Sequence, residues 1–132
     1  DIHQDGQTLY PGTGKADEQG KGIAEGSKLN IPMAAGSDDS DFKAVWSKVM
    51  EFLDVAKPEF IIFQCGADSL SGDPITQLNY SEESHALASR GLIQLAEQYS
   101  KGRIIATGGG GYNMKNLARA WTEVVKVFVE TN

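Results

Sequence analysis

Apolar residues recur at helical spacing from Phe42 onward. Phe42, Val45, Trp46, Val49, Leu53 and Ala56 fall at i, i+3, i+4, i+7, i+11 and i+14. That spacing places them on one face of an amphipathic helix. Ser37, Asp38, Asp39 and Ser40 offer N-cap candidates before it, and Pro58 closes it. The period then changes. Phe60, Ile61, Ile62 and Phe63 form a continuous apolar run, which predicts a central strand over 60–65, buried on both faces. A second helical stripe carries Ala88, Leu92, Leu95, Ala96 and Tyr99, with Ser81 as its cap and Gly102 as its stop. A second short strand follows over 103–107. A last helix carries Met114, Leu117, Ala118, Trp121, Val124, Val125 and Phe128. Upstream, Lys28 to Met33 reads as a short strand stopped at or just after Pro32.

Strand, helix, strand, helix, strand, helix is the order of an α/β fold, a parallel open sheet with flanking crossover helices. No internal repeat or linker divides it. Residues 1–36 hold seven of the fifteen glycines, which predicts irregular backbone anchored by apolar residues such as Leu9, Ile31 and Met33.

Composition narrows the function. The 132 residues suffice for one domain with a core. A net charge of −6 argues against nucleic-acid binding, which needs a basic face. No apolar run approaches the roughly 20 residues that span a bilayer, and no signal peptide is visible. The single Cys65 excludes an internal disulfide and fits a cytoplasmic location. Its place at the end of an apolar run makes it a small buried side chain rather than a nucleophile. The chain starts at Asp1 without an initiator Met, and residues upstream are expected to be missing.

The chemistry gathers in two loops. Residues 66–80 follow the first predicted strand and carry Asp68 and Asp73 among Ser69, Ser71 and Gly72. Long loops inside compact domains are usually functional, and ligands of open α/β sheets sit beyond the carboxyl ends of strands. Asp68 is therefore placed to bind or catalyse. Equally, both carboxylates can simply accept from loop amides. The second loop, Gly108 to Asn113, joins the next strand to the last helix at the same sheet edge. Its four glycines fit a phosphate cradle, a tight turn, or a pocket into which Tyr112 is aimed. The spacing matches neither common nucleotide motif. A tyrosine facing a metal-bound carboxylate suits hydrolysis of an amide or ester.

These residues carry a resemblance. Gln64 to Pro74 resembles the strand and loop that hold a zinc-binding aspartate in the histone deacetylase superfamily, which includes acetoin-utilisation proteins and acetylpolyamine amidohydrolases. Gly108 to Asn113, with the helix from Asn116 to Trp121, resembles that family's tyrosine loop. His3 to Gly14 resembles its segment after the first zinc motif, and Asn30 to Pro32 also fits. The resemblance spans nearly the whole chain and implies an arginase/deacetylase-like fold. It implies Asp68 as one of three protein ligands to a catalytic Zn2+, with Tyr112 as oxyanion donor. It implies an acyl tunnel with Tyr10 and Ile75 as walls and Gly109, Gly110 and Gly111 along the substrate stem. Asp73 and Arg119 are implied to support the loop and helix. The substrate class is an acetylated amine, of acetyl-lysine or acetylpolyamine type.

The family's Asp-x-His ligands and its histidine pair belong to a region before this segment. Asp1-Ile2-His3 has the Asp-x-His form but lies in the later segment, where the histidine is not a ligand. His85 reads as an ordinary surface or boundary histidine, far from the loops. The chain is expected to be the C-terminal part of one catalytic domain over residues 1–132, inactive and weak in zinc binding on its own. Self-association through an apolar surface is expected. A non-catalytic module that keeps the fold for binding or assembly is the alternative.

Overall fold

The computed structural model describes residues 1–131. Asp38 is the cap chosen from the four candidates. Its carboxylate accepts from the backbone N–H of Ser40 and Asp41, and Asp41 returns a bond to the Asp38 N–H. This capping box opens α1 (Asp39–Ala56), which Lys57 ends in a left-handed conformation at φ 47°. Ser81 caps α2 (Glu82–Leu95) by accepting from Glu83 N–H, and the helix runs on as a π-helical segment, Ala96–Ser100. Asn113 caps α3 (Met114–Glu130). Asp39 fastens the first two helices at their starts: it accepts from Ser81 N–H and from the hydroxyls of Ser81 and Ser84, the latter two at 2.6 Å.

Among the described residues, four strands form two parallel pairs. β1 (Ile2–Gln4) pairs with β2 (Ile31–Met33), and β3 (Ile61–Gln64) with β4 (Ile104–Thr107). β1 was not expected. It has three residues, too few for a period, and forms by pairing with a strand far along the chain. β2 ends at Met33, just after Pro32 as expected; Pro32 lacks a donor, which an edge strand tolerates. Among the described residues the two pairs are not joined by ladder hydrogen bonds. An open cleft of about 690 Å³ lies between them, lined by residues of β1 and β3 and floored by α1 and α2.

Two expectations about burial need correction. β3 is not buried on both faces: Ile61 is 8% exposed but Ile62 is 67% exposed. Among the described residues β3 pairs along one edge only, and Leu95 and Ala96 at the end of α2 pack on just the face that holds Ile61. On α3 the buried positions are Asn116, Ala120, Val124 and Val127, a face rotated from the apolar stripe. Small Ala120 lets the helix approach Ala67 and Leu70 closely, while Met114 and Val125 face outward. Helix α2 is buried on most sides, from Ser84 to Leu95, because it lies between α1 and α3.

Candidate active site

The β3–β4 register aligns Gln64 with Thr107, so the two strands end side by side. The loops that leave them are therefore neighbours, though Asp68 and Tyr112 stand far apart in sequence. Hydrogen bonds zip the loops and the start of the last helix together. Ala67 N–H donates to Gly110 O at 2.7 Å, and Asn116 Nδ2 donates to Ser71 O at 3.0 Å.

Asp73 joins the loops most directly. Its Oδ2 accepts from Tyr112 N–H at 2.9 Å, and its Oδ1 accepts from Ile75 N–H at 2.8 Å and Thr76 N–H at 3.3 Å. The loop-amide role thus belongs to Asp73. Asp68 differs. It sits in a single 3-10 turn, Ala67–Ser69, where the pull of its own backbone N–H only partly offsets the cost of burying its carboxylate. Burial raises its pKa above the usual carboxylate value; the nearby Asp73 charge adds to the rise and His85 opposes it. A half-buried carboxylate so lightly bonded is suited to take a cation.

The glycines give way to these side chains. A Cβ on Gly110 would stand 2.1 Å from Asp68 Oδ2, and one on Gly109 would stand 2.3 Å from Gln64 Nε2. Only glycine permits that approach, and a phosphate placed there would meet a carboxylate. The loop therefore serves Asp68 rather than a phosphate cradle.

Tyr112 is 60% exposed, and its backbone N–H is held by Asp73. Ile75 is 54% exposed on the Asp68 loop. Tyr10 is 93% exposed and is not among the residues lining the cleft that Asp68 joins. Arg119 pairs with Glu82 and so ties α3 to the first turn of α2 rather than to a loop. Cys65 is buried, its thiol pushed up to about 12 by desolvation, so it remains protonated. His3 places Nδ1 at 2.9 Å from Gln4 O and Nε2 at 3.0 Å from Gly14 O, so neither ring nitrogen is turned to a metal.

His85 corrects the reading of a histidine remote from the loops. It is 7% exposed, and its Nε2 lies 2.9 Å from Gly66 O. Burial lowers its pKa, against the opposing pull of that hydrogen bond and of Asp68. The signal was present in the stripe: position 85 precedes Ala88 and Leu92 by three and seven residues, on the same face. Thr76 also escaped notice, although its hydroxyl donates to Asp68 O.

A metal fits the chemistry of Asp68 in part. One desolvated carboxylate offers one ligand, and among the described residues no three His, Cys, Asp or Glu side chains gather as a metal set. The strand-end loops and parallel pairs define an α/β protein of the arginase/deacetylase-like class. Three solved structures share the fold. The HDA15 HD domain superposes with TM-score 0.86 at 30% identity, covering 96% of this chain and 35% of that one. A deacetylase homologue from Aquifex aeolicus gives 0.80 at 30% identity, covering 96% and 33%. At 24% identity, the acetylpolyamine aminohydrolase of Burkholderia pseudomallei gives 0.83, covering 96% and 36%. The histone deacetylase domain model matches residues 1–128, and the chain belongs to the histone deacetylase family. Among curated relatives, acetoin utilization protein AcuC of Bacillus subtilis is 38% identical over 125 residues, covering 93% of this chain and 32% of that protein. Histone deacetylase B of Dictyostelium discoideum is 33% identical over 131 residues, covering 98% and 30%. The chain thus spans about a third of the length of these relatives.

Proposed function

We propose that this chain supplies the aspartate and tyrosine side of a zinc-dependent deacetylase site that hydrolyses acetyl-amide bonds of acetyl-lysine or acetylpolyamine type. The observation that carries this reading is the joining of the Asp68 and Tyr112 loops through Asp73. Asp68 would be one protein ligand to Zn2+. When bound, the metal would polarise the acyl carbonyl and lower the pKa of a bound water. Tyr112 donates its phenolic hydrogen bond to the carbonyl oxygen as negative charge builds there. Gly109 to Gly111 keep the backbone low beside the acyl stem, with Ile75 and Tyr10 as tunnel walls. Asp73 holds the Tyr112 backbone in place.

Catalytic zinc takes three protein ligands as a rule. The remaining ligands and the general base belong to the part of a family-length domain outside residues 1–132, of which this chain is the C-terminal part. Alone it binds zinc weakly and does not turn over. Stoichiometric zinc after dialysis, with robust deacetylation of an acetyl-lysine peptide, would overturn that statement. The positive test is a chimera in which residues 1–128 replace the matching segment of Bacillus subtilis AcuC. It is expected to deacetylate, with Asp68→Ala releasing zinc and Tyr112→Phe lowering kcat by about a hundredfold or more. A folded, zinc-loaded chimera whose rate Tyr112→Phe leaves unchanged would sink the assignment.

The single candidate ligand also favours a second reading, a non-catalytic module that keeps the fold for assembly. Clean dialysed chain that captures no zinc even in the chimera would support it. The bare β3–β4 face and the outward apolar residues of α3 support self-association. The buried lone thiol fits a cytoplasmic setting, and the acidic charge disfavours nucleic acid as a partner.

A further inference from the structure

Three of the contacts that hold the backbone on either side of Asp68 bear on its position. Ala67 N–H donates to Gly110 O, the Thr76 hydroxyl donates to Asp68 O, and His85 Nε2 meets Gly66 O. The first two come from loops. His85 alone comes from a long helix, α2, whose start is fastened to α1 through Asp39. A carbonyl only accepts, so the Nε2 of His85 carries the proton and donates. Gly66 has little freedom to compensate if that bond is lost. Its N–H is already given to Gln64 Oε1 at 2.9 Å, and the space where a side chain would stand is filled by Asp68 Oδ1.

We propose that His85 is a positioning residue for Asp68: a strut from α2 that holds the Gly66 carbonyl and so sets where the Asp68 carboxylate stands. The proposal rests on the reading of Asp68 as the functional carboxylate. His85 touches no reacting atom. It converts the rigidity of a buried helix into the position of a group in a loop, as outer partners do for metal ligands.

The test uses the chain itself. By nitrogen-15 NMR of the wild type, His85 is expected in the Nε2-protonated form with a slowly exchanging ring proton. A ring protonated on Nδ1 alone would overturn the proposal without any variant. His85→Leu is then expected to speed hydrogen exchange at the Ala67 amide about tenfold or more, as for a buried carbonyl left without its donor, while α3 amides keep their rates. His85→Gln, whose amide nitrogen can reach the Nε2 position, should restore slow exchange; His85→Asn, too short, should not. Unchanged Ala67 exchange in His85→Leu, equal acceleration throughout the chain, or no rescue by Gln would each overturn the strut. A separate arm separates this from the metal reading. Zinc titration of the AcuC chimera carrying wild-type residues 1–128, followed at the Asp68 carboxyl carbon, should move that signal. Failure there with a normal exchange pattern counts against the metal assignment and leaves the strut standing.

Discussion

Burial opposes the charge of Asp68, and that opposition has a direction that can be measured. Its folded-state pKa is raised, so the ionised form weakens the fold at neutral pH. Replacing the charge should relieve this: Asp68→Asn is expected to raise Tm at pH 7. The gain should shrink as pH falls and the wild-type carboxylate takes up its proton. Thermal scans across that range check both parts, and a lower Tm at pH 7 would refute the argument. Asp73 carries the opposite expectation. It is 8% exposed and accepts from three amides, so Asp73→Ala strands buried donors and should destabilise by about 1–3 kcal/mol in urea unfolding. Gly110→Ala sets a methyl 2.1 Å from Asp68 Oδ2, and the cheapest relief is displacement of that carboxylate. Zinc affinity of the chimera should then fall more than its Tm does.

Among the elements, the junction of α1 and α2 depends on Asp39. Burial would raise its pKa, but hydrogen bonds from Ser81 and Ser84 outweigh it and hold the pKa below the ordinary value. A depressed carboxylate stabilises the fold above its unfolded pKa, and that contribution is lost as pH falls through the folded one. Asp39→Asn should therefore flatten the acid limb of stability below about pH 4. Acid titrations of Tm for the two proteins check it. The three helices and the strands β3 and β4 were legible because each is long enough, or apolar enough, to show its period. β1 was not, since its three residues are specified by pairing rather than by pattern. The turned face of α3 was hidden because Ala120 and Asn116 contact loops, where smallness and hydrogen bonding outweigh hydrophobicity. Asp68 and Tyr112 were legible as motif residues. The stripe that carries Ala88 and Leu92 marks His85 as buried, but only the fold reveals that its ring reaches Gly66.

At the scale of the whole molecule, two strand pairs share one set of helices and leave a cleft between their facing edges. The outer face of β3–β4 also exposes Ile62 at 67% and Ile105 at 47%. Ile62→Lys should reduce self-association in light scattering without lowering Tm, because the changed side chain already faces water. Unchanged particle mass at high concentration would reject that face as the contact. The same bare face has a colloidal consequence. What keeps copies apart is mutual repulsion from a net charge of −6, and that repulsion disappears near the sequence pI of about 4.8. Salt weakens it at any pH by screening. Attraction between uncovered isoleucines remains when repulsion is gone. The chain should therefore precipitate near pH 4.8 while its circular dichroism still reports folded helices, and dissolve again when alkali restores the charge.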